Sequence, residues 1–206
     1  MLESERKKLF DRKEGDYLSI GISEGGEHYN KYQVFWRYKV NALNMKLPDF
    51  YLAPEDLCDE EIMSQLAKHT VIGCYINTPL QDYSFLSRFP KIRDLNIARG
   101  ENIKSLDFIS VIEECRMLFL SDAVLENIDV LWDMNANRES FFEKLTSVAL
   151  FNCEVEDLSV FEREGYSFLE FSVWSAKQDR SKWEKIKATK WGYFELRPLS
   201  LEDNSQ

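Results

Sequence analysis

Histidine is nearly missing from this chain: only His28 and His69 occur in 206 residues, and neither stands at motif spacing from a serine or cysteine nucleophile. The phosphate-binding G-x-x-x-x-G-K, the dinucleotide G-x-G-x-x-G, the zinc-protease H-E-x-x-H and the nucleophile elbow G-x-S-x-G are all lacking. With none of these constellations, the sequence reads as a non-enzyme without cofactor or metal. Paired cysteines are lacking too. Four cysteines stand far apart at 58, 74, 115 and 153, with no C-x-x-C among them, so reduced thiols are expected, three of them in the core. No apolar run approaches a membrane span, and the charged opening MLESERKKLFDRKEGD has no apolar centre of the kind a signal peptide needs. A cytoplasmic protein with no membrane contact is expected. Basic surplus is the last thing missing. A net charge of −10 disfavours phosphate backbones and anionic lipid, making nucleic acid an unfavoured partner and basic proteins a favoured one.

What is present is ample core material, with 44% apolar and 14% aromatic residues, enough for one domain with a smaller appendage. After a charged start, Tyr17–Ile22 alternates as a strand does, and Ser23-Glu-Gly-Gly-Glu follows as a turn. Tyr32–Val40 is rich in aromatic and β-branched residues, and the two runs together predict a β-hairpin with a long tip. Residues 47–54 read as irregular. Leu57, Ile62, Met63 and Leu66 then make a helical stripe that predicts a helix over about 55–68, with acidic residues at its start. Asp56, Asp59, Glu60 and Glu61 lack metal geometry and read as its solvated face.

From His69 to Trp174 one spelling, h-x-x-h-x-h, returns five times, beginning at His69, Ile92, Cys115, Leu145 and Tyr166. The spacings are 23, 23, 30 and 21 residues. Downstream halves register as well: Leu80, Tyr83, Leu86 and Phe89 recur as Ile103, Leu106, Ile109 and Ile112. Residues 133–140 are a polar insertion that accounts for the long spacing. These blocks resemble leucine-rich repeats, L-x-x-L-x-L-x-x-N/C-x-L in units of about 20–29 residues. The resemblance covers about half the chain. It departs from the pattern at the Asn/Cys position, which reads Asn77, Gly100, Ala123, Cys153 and Trp174. An α/β sheet protein with similarly spaced strands is the competing explanation.

The resemblance implies an α/β or β-rich solenoid with a short parallel sheet. A hairpin-and-helix region at 1–67 caps one end of repeats at 68–175, and 176–206 caps the other. It also implies that residues between the h positions face outward on a concave sheet face. Their columns are Val71, Asp94, Met117, Ser147, Phe168, then Gly73, Asn96, Phe119, Ala149, Glu170, then Tyr75, Ala98, Ser121, Phe151, Ser172. Tyr75, Asp94, Asn96, Met117, Phe119, Phe151, Phe168 and Glu170 are therefore the expected contacts for a protein partner, since exposed aromatic patches mark binding sites. Cover by the chain's own hairpin or C-terminal segment, or a frame error of one residue, would bury them instead. The segment 177–191 carries six basic against two acidic groups, interleaved with Trp183 and Trp191. It is expected to anchor those tryptophans on the open end of the repeats, the alternative being an enzyme or an anion- or nucleic-acid-binding module built on it. Size, acidity and the missing export signal resemble small proteins that act as immunity partners of bacterial toxins. That resemblance implies an inhibitor covering a basic face.

Overall fold

The recurring apolar triplets become strands in the computed structural model, which describes residues 1–24, 48–136, 144–163, 170–174, 181, 183, 184 and 194–197. In chain order the strands are β1 (Tyr17–Ile22), β2 (Phe50–Leu52), β3 (Thr70–Ile76), β4 (Asp94–Ile97), β5 (Met117–Ser121), β6 (Val124–Leu125), β7 (Ser147–Phe151), β8 (Glu154–Val155), β9 (Glu170–Trp174) and β10 (Phe194–Arg197). Eight of them form one sheet ordered β10-β9-β7-β5-β4-β3-β1-β2. Every pairing in it is parallel. β6 and β8 make a second, two-stranded parallel sheet. With helices α1 (Glu3–Phe10), α2 (Glu60–Leu66) and α3 (Asp129–Ala136), the fold class is α/β.

Register makes the core. Phe50, Ile20, Cys74, Leu95, Leu118, Val148 and Phe171 stand side by side across seven strands. Leu52, Ile22, Ile76, Ile97, Leu120, Leu150 and Val173 form the next row. All fourteen are 1% exposed or less, and each large one contributes about 1.5–3 kcal/mol on burial. The rows run unbroken from β2 through β9, so the N-terminal strands belong to the same sheet as the repeats.

Two expectations change here. β1 has parallel neighbours on both edges, β2 and β3, and Asp49 N and Ser23 N extend the pairing with β2 by donating to Ser19 O and Leu52 O. It therefore has no free edge for an antiparallel hairpin partner; the expected second arm, 32–40, lies outside the described residues. The stretch expected to be irregular supplies β2, three residues between Pro48 and Pro54, too short to show alternation.

The helix expected over 55–68 is broken at Asp59. Pro54–Cys58 is a 3-10 turn, and the Asp59 carboxylate then accepts from Glu61 N (2.9 Å) and Ile62 N (3.2 Å) to start α2 afresh. Its acidic neighbours have structural partners: Asp56 meets Ala53 N and the Met1 ammonium, Glu60 pairs with Arg88, and Glu61 with Arg6. Ion pairs from Arg6 to Asp59 and Glu61 fasten α1 to α2, with Leu9 fully buried beneath.

The repeat frame shifts by two residues in the first and last units. Cys74 pairs with Leu95, and Phe171 and Val173 pair with Val148 and Leu150. The first block is thus Val71–Cys74–Ile76. A two-residue shift leaves side chains on their face because strands alternate with period two. Val71 is the exception. β1 passes from Leu18↔Val71 directly to Ser19↔Gly73, so Ile72 is an extra residue and Val71 joins the core at 2% exposure.

Each unit turns back through a short helical segment: Ser84–Arg88, Asp107–Val111, α3 and Ser159–Glu162. One device starts all four. Asp82 Oδ1 accepts from Ser84 N (2.8 Å), Ser105 Oγ from Asp107 N (3.1 Å), Asn127 Oδ1 from Asp129 N (3.2 Å) and Asp157 Oδ1 from Ser159 N (2.8 Å). Each side chain satisfies an amide that the turn leaves without a backbone partner.

Candidate partner-binding faces

The sheet face opposite the core carries the residues expected to meet a partner. Ser19, Gly73, Asp94, Met117, Ser147 and Glu170 form one row. Tyr51, Gly21, Tyr75, Asn96, Phe119, Ala149 and Ser172 form the next. The structure therefore puts Tyr75 beside Asn96, one column away from where the sequence frame had it. Phe151 stands beyond them, paired with Ser121 and Trp174. Phe168 lies outside the described residues, and Glu170 is placed through its backbone in β9.

These side chains do not face solvent. Asn96 and Phe119 are 3% exposed, Tyr75 4%, Phe151 6% and Met117 9%, with Asp94 only half-buried. Their burial arises within the single chain. The expectation of a solvent-exposed aromatic patch is corrected accordingly. Tyr75 also lies back over its own strand: a Cβ on Gly73 would stand 3.0 Å from the Tyr75 ring. Phe119 and Phe151 meet at 6.4 Å between centroids.

Asp94 and Asn96 are polar residues side by side in these rows. Burial pushes the Asp94 carboxyl above its ordinary value, opposed by the nearby Arg116 and Arg93 guanidinium groups. Neither amide atom of Asn96 has a hydrogen-bond partner among the described residues. Burial raises the Cys74 thiol far above the usual range and the Cys153 thiol to about 12. Cys153 occupies the Asn/Cys position of its unit, and its thiol reaches Leu120 O of the preceding unit at 3.4 Å. Cys58 is exposed. His69 is buried, with neither ring nitrogen hydrogen-bonded among the described residues. No group of three or more possible metal ligands occurs among the described residues.

At the C-terminal edge of the sheet, Asp122 and Asn152 both take positive φ, 62° and 52°, in the region these two residue types tolerate best. The Asn152 amide donates to Asp122, linking neighbouring units, and Ser121 Oγ donates to Ala98 O at 2.6 Å. Trp183 is the described anchor of the basic segment. It is 1% exposed and packs on Phe161 at 5.8 Å and Phe171 at 6.3 Å between centroids. Its ring is spent on the protein's own core, not held out for a base to stack on.

The outer side differs. In β6 and β8, Leu125 and Val155 are buried while Val124 and Glu154 are exposed, as are Glu126 and Glu156 just past the two strands. Val124 stands opposite Glu154 and is 50% exposed. Amide bonds from Glu156 N to Leu125 O and Asp157 N to Glu126 O, each 2.9 Å, carry the register on to Glu126 beside Glu156. The sequence expectation passed over these residues. Val124-Leu-Glu126 recurs as Glu154-Val-Glu156 thirty residues later, visible once each unit is followed past its strand.

No protein-family model, no curated protein and no solved structure matches the chain. No described helix is long and apolar enough to cross a membrane.

Proposed function

We propose that the chain is a short leucine-rich-repeat-type solenoid that works by binding a protein partner, a basic one, in the manner of an immunity or inhibitor protein. The observation that carries this reading is the shared register from β3 to β10, where spatial order follows chain order. Such stacking sets equivalent residues of successive units about 4.8 Å apart in rows, a surface suited to another macromolecule more than to a small substrate. The four identical turn caps at 82, 105, 127 and 157 support the repeat reading independently of the strands. The net charge of −10 selects the sign of the partner. Because the inner aromatic face is packed within the monomer, contact is assigned to outer surfaces.

The test is isolation of the tagged chain, at physiological salt, from the cells that make it, followed by mass measurement of the purified species. A complex of fixed stoichiometry with a more basic protein is expected. Recovery of the chain by itself, at concentrations where a micromolar complex would persist, sinks the reading.

A further inference from the structure

The two-stranded sheet formed by β6 and β8 presents an outward face that pairs with nothing among the described residues. Resting on the partner-binding reading above, we infer that this face is the docking surface, and that it receives an extended, lysine- or arginine-rich segment of the partner. Val124 and Glu154 share the outward face of the two strands, because Leu125 and Val155 beside them are buried, and Glu126 and Glu156, which follow at the strand ends, are exposed as well. The result is an apolar spot with three acidic side chains around it. None of the three has a cation within ion-pair distance among the described residues, whereas Glu60, Glu61, Glu101 and Glu114 each have an arginine partner.

Register makes the arrangement costly for the free protein. Glu126 and Glu156 follow paired residues of β6 and β8, so their backbones leave the two strands side by side, at about the 4.8 Å strand spacing, and like charges so placed repel. Lys104 meets Glu126 through its backbone, its carbonyl accepting from Glu126 N. A cation-bearing strand laid across the face relieves that repulsion and covers Val124 at once. Charge complementarity decides the occupant: an acidic or nucleic-acid partner would add to the repulsion, and a neutral one would leave it in place.

The surface is tested with an octalysine peptide at low salt against three proteins: the unaltered chain, Glu126→Gln with Glu156→Gln, and Glu3→Gln with Glu14→Gln. The two variants lose the same charge, the second pair at exposed positions at or just beyond α1. Affinity is expected to fall about tenfold for the outer-sheet pair and less than about twofold for the control. The outer-sheet pair is also expected to melt no lower than the unaltered chain, and higher at low salt, as relief of repulsion demands. Equal weakening of both variants, or no weakening of either, overturns the assignment and leaves net charge alone as the attraction. With a partner in hand, Glu126→Lys with Glu156→Lys should abolish the complex. A partner retained by that variant overturns this surface while partner binding stands; no partner for the unaltered chain defeats partner binding, and the octalysine comparison still decides the surface.

Discussion

The side-chain amide of Asn135 makes both hydrogen bonds of a strand pair with the backbone of Leu145: Nδ2 donates to Leu145 O at 3.0 Å, and Oδ1 accepts from Leu145 N at 2.8 Å. Asn135 is fully buried. Asn135 lies in the last turn of α3, within the polar insertion, and Leu145 stands two residues before β7, so the clamp ties the end of that helix to the entry of the strand. Asn135→Ala removes both of these buried hydrogen bonds, each worth about 0.5–1.5 kcal/mol net. A loss of about 1–3 kcal/mol is expected in urea unfolding. Asn135→Asp keeps the acceptor for Leu145 N but loses the donor, and should lie between. A loss below about 1 kcal/mol for the alanine variant would show that the insertion is held by something else.

Asn96 presents the opposite case. It is 3% exposed between Tyr75 and Phe119, and its amide has no partner among the described residues. Leucine has the same number and branching of side-chain heavy atoms and none that is polar, so Asn96→Leu is expected to stabilise the monomer by about 1–3 kcal/mol. A thermal melt checks it. Destabilisation would mean that the amide has a partner in solution.

The units were legible because burial of one strand face forces the spelling h-x-x-h-x-h, and Ile92, Cys115 and Leu145 begin their blocks where expected. The frame failed at the ends for a physical reason. A bulge in β3 makes Ile72 supernumerary, so His69 imitates a first position that Val71 fills. β2 escaped notice because three residues cannot display a period. The parity of the inner face was legible; its burial was not, because alternation tells which side a residue takes and says nothing of what lies above it. The turn caps at 82, 105, 127 and 157 were readable as Asp, Ser, Asn and Asp in one register, but they differ in residue type and share only the geometry of an oxygen two residues before an amide.

At Gly100, three residues past β4, a side chain does not fit. A Cβ would come within 2.7 Å of Ser121 O and 2.8 Å of Leu120 Cδ1, and Gly100 N already donates to that same carbonyl at 2.8 Å. Backbone cannot yield without pulling apart the units containing β4 and β5. Gly100→Ala is therefore expected to cost about 1–3 kcal/mol, the range for overpacking a tight site. Measured by urea unfolding, an alanine variant as stable as the parent would mean that the two units are less closely stacked than this.

The last prediction concerns pH. Burial raises the Asp94 carboxyl, and Arg116 and Arg93 offset only part of that. Its folded-state value thus lies above the unfolded one, about 3.9. The folded protein binds this proton more tightly, so the stabilising contribution is complete below about pH 4 and is lost as pH rises through the folded value. At neutral pH the ionised group weighs against the fold. Asp94→Asn keeps the shape and cannot ionise. The variant is expected to melt higher at pH 7. The gap should close as pH falls toward 4. A gap that stays constant or widens in acid would mean that the Arg93 and Arg116 attraction outweighs burial, and that ionised Asp94 supports the sheet.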